Sequence, residues 1–368
     1  MALRSIFRQA ARSLAVALAA SLLAGPAAQA AGADRRLVLV TLDGLPWTEV
    51  FRGADPERTT TSAVAVDQRD AIRKAFVDPA DRARALMPFL HGVVARQGVL
   101  LGDRDHGSCA AVSNDQWFSY PGYNEILTGK PDPAIRSNEH GPNKNVTFLE
   151  WLNRRPDFAG RVEAVTSWRA YEDIINAERS GLPVNAGWED APTRTPAEAA
   201  IADLQADAPR IWPTVRLDGF TQAYALETLK RRKAKVLYVA YGETDDFAHE
   251  GHYDQMLWAA QRADRFIGEL WAALQSDPAY AGKTTLIVTT DHGRGTNGKD
   301  AWKHHGKPFA ESDQVWIGAI GPGVRAGAKP EGCASSSQVA ATALTALGVD
   351  WQAYDPAAGR PLDILKPR

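Results

Sequence analysis

Cysteine is almost absent. Cys109 and Cys333 are the only two in 368 residues, and their wide spacing excludes a zinc knuckle, which needs closely paired thiols. Nothing beside Cys109 marks it as a nucleophile. The pair is open to two readings, one disulfide or two buried free thiols. A large excess of either charge is missing as well: the formal net charge is −2, which gives no electrostatic basis for binding nucleic acid. Internal repeats are absent. So are long apolar runs, except for one at the N-terminus, and no later stretch is fit to cross a bilayer.

That one run has a recognisable layout. Arg4, Arg8 and Arg12 precede the apolar stretch Leu14–Leu23, and Ala28-Gln29-Ala30 puts small residues at the cleavage positions. This predicts a secretory signal peptide over residues 1–30, with a retained membrane anchor as the alternative. Its removal takes away three arginines and no acid, so the formal charge falls from −2 to −5. The expected mature chain, 31–368, is periplasmic or secreted and has no membrane span. With 45% hydrophobic residues it can bury one large core.

What is present is a series of short β-branched runs ending in acids. In Thr284–Thr290, Leu286, Ile287 and Val288 are flanked by threonines and bounded by Gly282 and Gly293. That pattern predicts a central strand of a parallel sheet, ending at Asp291-His292. Arg36–Leu42 reads the same way and ends at Asp43-Gly44. Lys235–Tyr241 leads through Gly242-Glu243-Thr244 into Asp245. Further strands are expected at 161–166 and 315–320. Helices are expected at 88–97, at 147–154, at 217–232, at 253–274 and at 337–347, and one more starts near Pro121 and stops at Gly129. Residues 54–81 read as a polar surface excursion, 130–145 as a loop and 168–212 as a small lid or lobe. Strands alternating with helices predict an α/β fold, a three-layer α/β/α sandwich around a mostly parallel sheet.

In open α/β sheets, chemistry sits beyond the carboxyl ends of the strands. Asp43, Asp245 and Asp291 all fall there. His249 follows Asp245 by four residues, so on a helix the two share a face; Asp246 and His252 are alternatives with poorer spacing. His292 adjoins Asp291, and His304-His305 follow after a short loop, with His305 preferred because Gly306 comes next. His91, His106 and His140 lack a ligand partner nearby and read as structural or exposed. Mixed carboxylates and imidazoles suit zinc or another divalent transition metal. Ser119 lies at or just before a helix N-terminus, where an anion is favoured; alone, it reads as easily as a helix cap. Trp117, Phe118, Tyr120 and Tyr123 either wall a substrate pocket or pack in the core. Two ions roughly 4 Å apart can activate a hydroxyl and stabilise a leaving oxygen, as in-line phosphoryl transfer requires.

Five motifs in order carry a resemblance. They are Asp43-Gly44, Ser119-Tyr120-Pro121 running to Leu127-Thr128-Gly129, Glu243-Thr244-Asp245 with His249, Asp291-His292-Gly293, and His305-Gly306. The chain resembles the alkaline phosphatase superfamily, nearest its type I phosphodiesterase/nucleotide pyrophosphatase branch, from Asp43 to about Gly323. The resemblance implies two zinc ions, one held by Asp245, His249 and His305, the other by Asp43, Asp291, His292 and Ser119. It implies that Ser119 attacks phosphorus to form a phospho-enzyme, and that Asn138 contacts a non-bridging oxygen. The substrate would be a small-molecule phosphate ester, a monoester or a diester. Two features depart from the branch: Ser119 stands where phosphodiesterase relatives usually have Thr, and Gly122-Tyr123 stand where they have Asn-His. The absence of Cys-x-Pro-x-Arg argues against a formylglycine sulfatase. Alternative readings are a phosphotransferase, a phosphoglycerate-mutase-like enzyme, or an inactive metal-stabilised binding protein.

Overall fold

Among the described residues seven strands form one sheet, in the order β2-β8-β7-β1-β6-β4-β5. They are β1 (Arg36–Leu42), β2 (Val99–Leu101), β4 (Val162–Thr166), β5 (Val184–Ala186), β6 (Val236–Tyr241), β7 (Thr284–Thr290) and β8 (Ile317–Ile320); β3 (Ala110–Ala111) and β9 (Ala334–Ser335) form a separate parallel pair. The computed structural model describes residues 34–189, 193–231 and 233–367. The expected signal peptide lies outside the described residues. β7, β1, β6, β4 and β5 run parallel, and β8 pairs antiparallel with both β7 and β2.

β1 is the centre of the sheet because both its faces are apolar. Val38, Val40 and Leu42 pack into one core cluster, and Leu37 and Leu39 into another. The alternation continues in β6, where Leu237, Val239 and Tyr241 go one way and Val236, Tyr238 and Ala240 the other. Helices cover both faces. α1 (Trp47–Arg52), α4 (Asp218–Lys230), α5 (Glu243–His249) and α6 (Tyr253–Ser276) lie on the first; α2 (Ser119–Thr128), α3 (Phe148–Asn153) and α7 (Val339–Ala346) lie on the second. The result is the expected three-layer α/β/α sandwich. α2 stops where predicted, at Gly129, whose φ of 77° is the left-handed conformation of a helix C-cap.

Two expectations are refined. Residues 54–81 run over the surface, most of them exposed or partly exposed, but they are anchored in the core. They wind through short helical turns, and Val64, Ile72 and Phe76 are fully buried. Their apolar spacing follows tight and wide turns rather than a 3.6-residue period, which hides it in the sequence. The segment 168–212 is partly woven into the main sheet: Val184–Ala186 is its edge strand, and Trp188 and Trp212 are buried. The two cysteines are joined, Cys109 to Cys333, across 224 positions. Among the described residues no helix is long and apolar enough to cross a membrane.

Candidate active site

Three adjacent strands deliver the acids. β7, β1 and β6 are neighbours, and Asp291, Asp43 and the start of α5 follow their carboxyl ends. α5 begins after Gly242, and its i, i+4 pair closes as expected: Nε2 of His249 lies 3.1 Å from Oδ2 of Asp245. Nε2 of His305 lies 2.9 Å from Nε2 of His249 and 3.8 Å from Oδ1 of Asp245. The second group is centred on the fully buried His292, whose Nε2 is 3.4 Å from Oδ1 of Asp43 and 3.4 Å from Oδ2 of Asp291. The same nitrogen is 3.8 Å from Oδ1 of Asp245, so it borders both groups.

The site holds more charge than it neutralises. Burial, then repulsion from Asp245, raises the Asp43 carboxyl above its ordinary value, and burial with repulsion from Asp43 raises Asp291 well above. Among the described residues, Oδ1 of Asp43 and Oδ2 of Asp291 are buried without a hydrogen-bond partner, a costly state that a cation would relieve. Burial alone would lower His292, but Asp291, Asp43 and Asp245 hold it up to about 9. His305 is pushed well below its ordinary value by burial and by His292. Burial opposes ionisation of Asp245 too, yet Arg294 and His249 hold its carboxyl well below the usual range. Three carboxylates and three imidazoles, with orphaned oxygens at the centre, fit divalent metal ions.

Ser119 is the first residue of α2, and Phe118 is the cap residue. The helix-cap reading of Ser119 is thereby excluded. Its Oγ is buried and lies 3.4 Å from Nε2 of His292. The approach is strained: Trp117 is a non-glycine residue with φ of 59°. Asn114 holds it, accepting hydrogen bonds on Oδ1 from the backbone N–H groups of Gln116 and Trp117. Glu125, buried within α2, in turn accepts from the N–H groups of Ser113 and Asn114. Asn138 arrives from the following loop, and its Oδ1 accepts the backbone N–H of Tyr120 at 2.9 Å.

The remaining candidates separate. His304 stacks on Phe309, His252 is exposed near Glu250, and Asp246 is half-buried outside both groups, its carboxyl raised to about 9 by burial and by Asp245 and Asp43. His91 Nε2 meets the carbonyl of Val50, His106 is exposed beside Asp103, and His140 packs edge-on against Tyr120. Tyr120 and Tyr123 belong to the core, and Trp117 packs against it.

Arg294 was not anticipated. Its buried guanidinium bonds Oδ1 and the backbone carbonyl of Asp245, and its Nε donates to the carbonyl of Gly44 at 3.0 Å. It therefore ties the end of β1 to α5. Its place just past Asp291-His292-Gly293 was the only signal in the sequence. On its far side lies a cavity of about 300 Å³ walled in part by Arg58, Arg82, Thr296 and Trp302.

A mostly parallel sheet, helices on both faces and these acidic groups at one edge define an α/β fold of the alkaline phosphatase type. A quadruple mutant of the alkaline phosphatase PafA matches 90% of this chain and 99% of its own, with a TM-score of 0.57 at 10% identity. The C-terminal periplasmic domain of EptC from Escherichia coli, solved with zinc, matches 92% of this chain and 89% of its own, with a TM-score of 0.52 at 11% identity. Within that fold, the chain belongs to the type I phosphodiesterase / nucleotide pyrophosphatase family, whose model matches residues 125–359. The match begins after Asp43 and Ser119, so their placement rests on geometry. A 2,3-bisphosphoglycerate-independent phosphoglycerate mutase from Synechococcus sp. (strain JA-2-3B'a(2-13)) is 34% identical over 85 residues, 23% of this chain and only 14% of the mutase.

Proposed function

We propose that the chain is an exported, metal-dependent hydrolase of small-molecule phosphate esters that uses Ser119 as nucleophile and binds two zinc ions. The observation that carries this reading is the 3.4 Å separation between the buried Oγ of Ser119 and Nε2 of His292, the imidazole bordering both acidic groups. Asp43, Asp291 and His292, with the Ser119 oxygen, would hold one ion; Asp245, His249 and His305 would hold the other. Bound ions supply charge neutralisation and acidify the hydroxyl.

The chain's own residues do the positioning. The N-terminus of α2 presents backbone N–H groups that favour an anionic phosphoryl group beside Ser119. Asn138 spends its carbonyl oxygen on Tyr120, which leaves its amide N–H groups for a non-bridging oxygen. Arg294 keeps Asp245 ionised. As the Ser119 Oγ–phosphorus bond forms, the hydroxyl gives its proton to water, the ester P–O bond breaks and the departing oxygen takes a proton from water. Water then attacks the phosphoserine, releasing phosphate from a monoester or a phosphomonoester from a diester, and the serine hydroxyl is restored. The arginine-rich signal-like segment at residues 1–30 supports export, as does the periplasmic setting of the EptC domain.

The test is turnover of p-nitrophenyl phosphate and bis-p-nitrophenyl phosphate by the zinc-loaded chain, with Ser119→Ala alongside. We expect the variant to lose roughly a thousandfold or more in kcat. Equal turnover by the variant would remove the covalent role, and no turnover by the parent would favour a metal-stabilised binding protein. Local identity to the mutase supports a second reading, in which the acceptor is another hydroxyl instead of water; the ratio of free phosphate to transferred phosphoryl separates the two.

A further inference from the structure

Glu243 heads the Glu243-Thr244-Asp245 motif, yet the reaction gives it no part. It is the first residue of α5, and Asp218 is the first residue of α4. Neither helix is capped by the residue before it: Gly242 precedes α5 and Leu217 precedes α4, and neither makes a side-chain cap. Each helix is capped instead by the first acid of the other. Asp218 accepts the N–H of Gly242 on Oδ1 at 2.8 Å and that of Glu243 on Oδ2 at 3.2 Å. In return, Glu243 accepts the N–H of Asp218 on Oε1 at 2.9 Å. Both acids are buried.

Two further groups lock the pair. The hydroxyl of Ser167, just past the end of β4, donates to Oδ1 of Asp218 at 2.6 Å, and Arg262 on α6 donates to Oε2 of Glu243 at 2.6 Å. Each of the four carboxylate oxygens thus meets a donor, as buried acids require. Gly242 lets the two helix starts come this close, since a Cβ there would lie 2.9 Å from Cγ1 of Val215. The cap matters because α5 has seven residues, too few to hold a helical pitch unaided. The N–H groups at a helix start have no partner within the helix. Asp245 and His249 share a face only while that pitch holds.

We propose that Asp218 is a positioning residue for the metal centre: with Glu243 it forms a reciprocal cap that sets the height and rotation of α5, and so aims Asp245 and His249 at one ion. The proposal rests on the two-zinc reading of the site. Asp218 touches neither ligand; it acts through the backbone of Gly242 and Glu243, which lead into Asp245. On the opposite side the hydroxyl of Thr244 donates to the backbone carbonyl of Asp43, which ties α5 to the end of β1. The start of α5 is therefore clamped from two sides, and loss of Asp218 would release one of them. Hydrogen bonds that fix a ligand's orientation from behind are worth about 10–100-fold in metal affinity.

The experiment is a zinc titration of the full chain against a competing chelator, resolving the two binding steps, with His249→Ala marking the step that belongs to α5. In Asp218→Ala that same step should weaken about 10–100-fold, with the other step unchanged. Asp218→Asn keeps the shape but replaces one acceptor oxygen by a donor, and should weaken the same step less. It also serves as the test if Asp218→Ala does not fold. Thr147→Ala removes the cap of α3, where Thr147 accepts the N–H of Glu150 at 3.1 Å, on a helix that carries no ligand. It should lower the melting temperature and change neither step, which separates positioning from a general loss of stability. Zinc affinities in the Asp218 variants equal to those of the parent, or an equal loss in both steps, would overturn the role of Asp218 and leave the metal reading standing. A parent chain that binds no zinc would overturn both.

Discussion

Gly44 follows Asp43 with φ of +57°, and a Cβ at that position would lie 2.4 Å from Oδ1 of Asp245 and 3.0 Å from Cε1 of His292. No side chain fits there, and the left-handed backbone is itself unfavourable for any other residue. Gly44→Ala should therefore cost about 1–3 kcal/mol of stability and abolish tight zinc uptake, read by a melting curve and by metal analysis of the purified chain. Arg294→Gln tests a different residue. It removes the cation that holds Asp245 ionised, so zinc uptake at the Asp245, His249 and His305 group should become more sensitive to acid, measured as the pH at half-saturation. Of the residues in this centre, the acids and imidazoles were legible because they terminate apolar strands or keep helical spacing. Arg294 was not, because it makes its contacts 49 and 250 positions away.

Elements are tied together by single buried acids. Asp264, on α6, accepts the backbone N–H groups of Phe89 and Leu90 at 2.6 and 2.9 Å and so caps the helical turn that starts after Pro88. Burial pushes its carboxyl up to about 7 against the two hydrogen bonds. The sign follows from linkage. Between the ordinary value of 3.8 and about 7 the folded chain keeps a proton that the unfolded chain releases, so this group's contribution to stability falls as pH rises and the loss is complete above 7. Asp264→Asn should lack that loss. The denaturant midpoints of parent and variant should diverge between pH 5 and pH 8 by the equivalent of about 1–3 kcal/mol. Strand and helix positions along the chain were readable from periodicity to within a few residues. The turns at 54–81 and the edge strand Val184–Ala186 were not, since a three-residue strand and irregular helical turns carry too few repeats to show a period.

At the scale of the whole molecule, the link between Cys109 and Cys333 joins the strand pair β3–β9 and fastens the segment leading to Ser119 to the C-terminal part of the chain. A crosslink across 224 positions restricts the unfolded chain strongly, and its removal should cost about 2–5 kcal/mol. The check is the denaturant midpoint of the oxidised chain against Cys109→Ser with Cys333→Ser, with the sheet retained in both. The sheet order has one further consequence. The two acidic groups are carried by β7 and β1 on one side and by the helix after β6 on the other, and adjacent strands stand about 4.8 Å apart whatever their side chains. The ruler that sets the gap between the two acidic groups is then the peptide hydrogen bond. Substituting side chains can change what the groups would bind, but the interval between the strands that carry them is inherited from the backbone and is shielded from mutation.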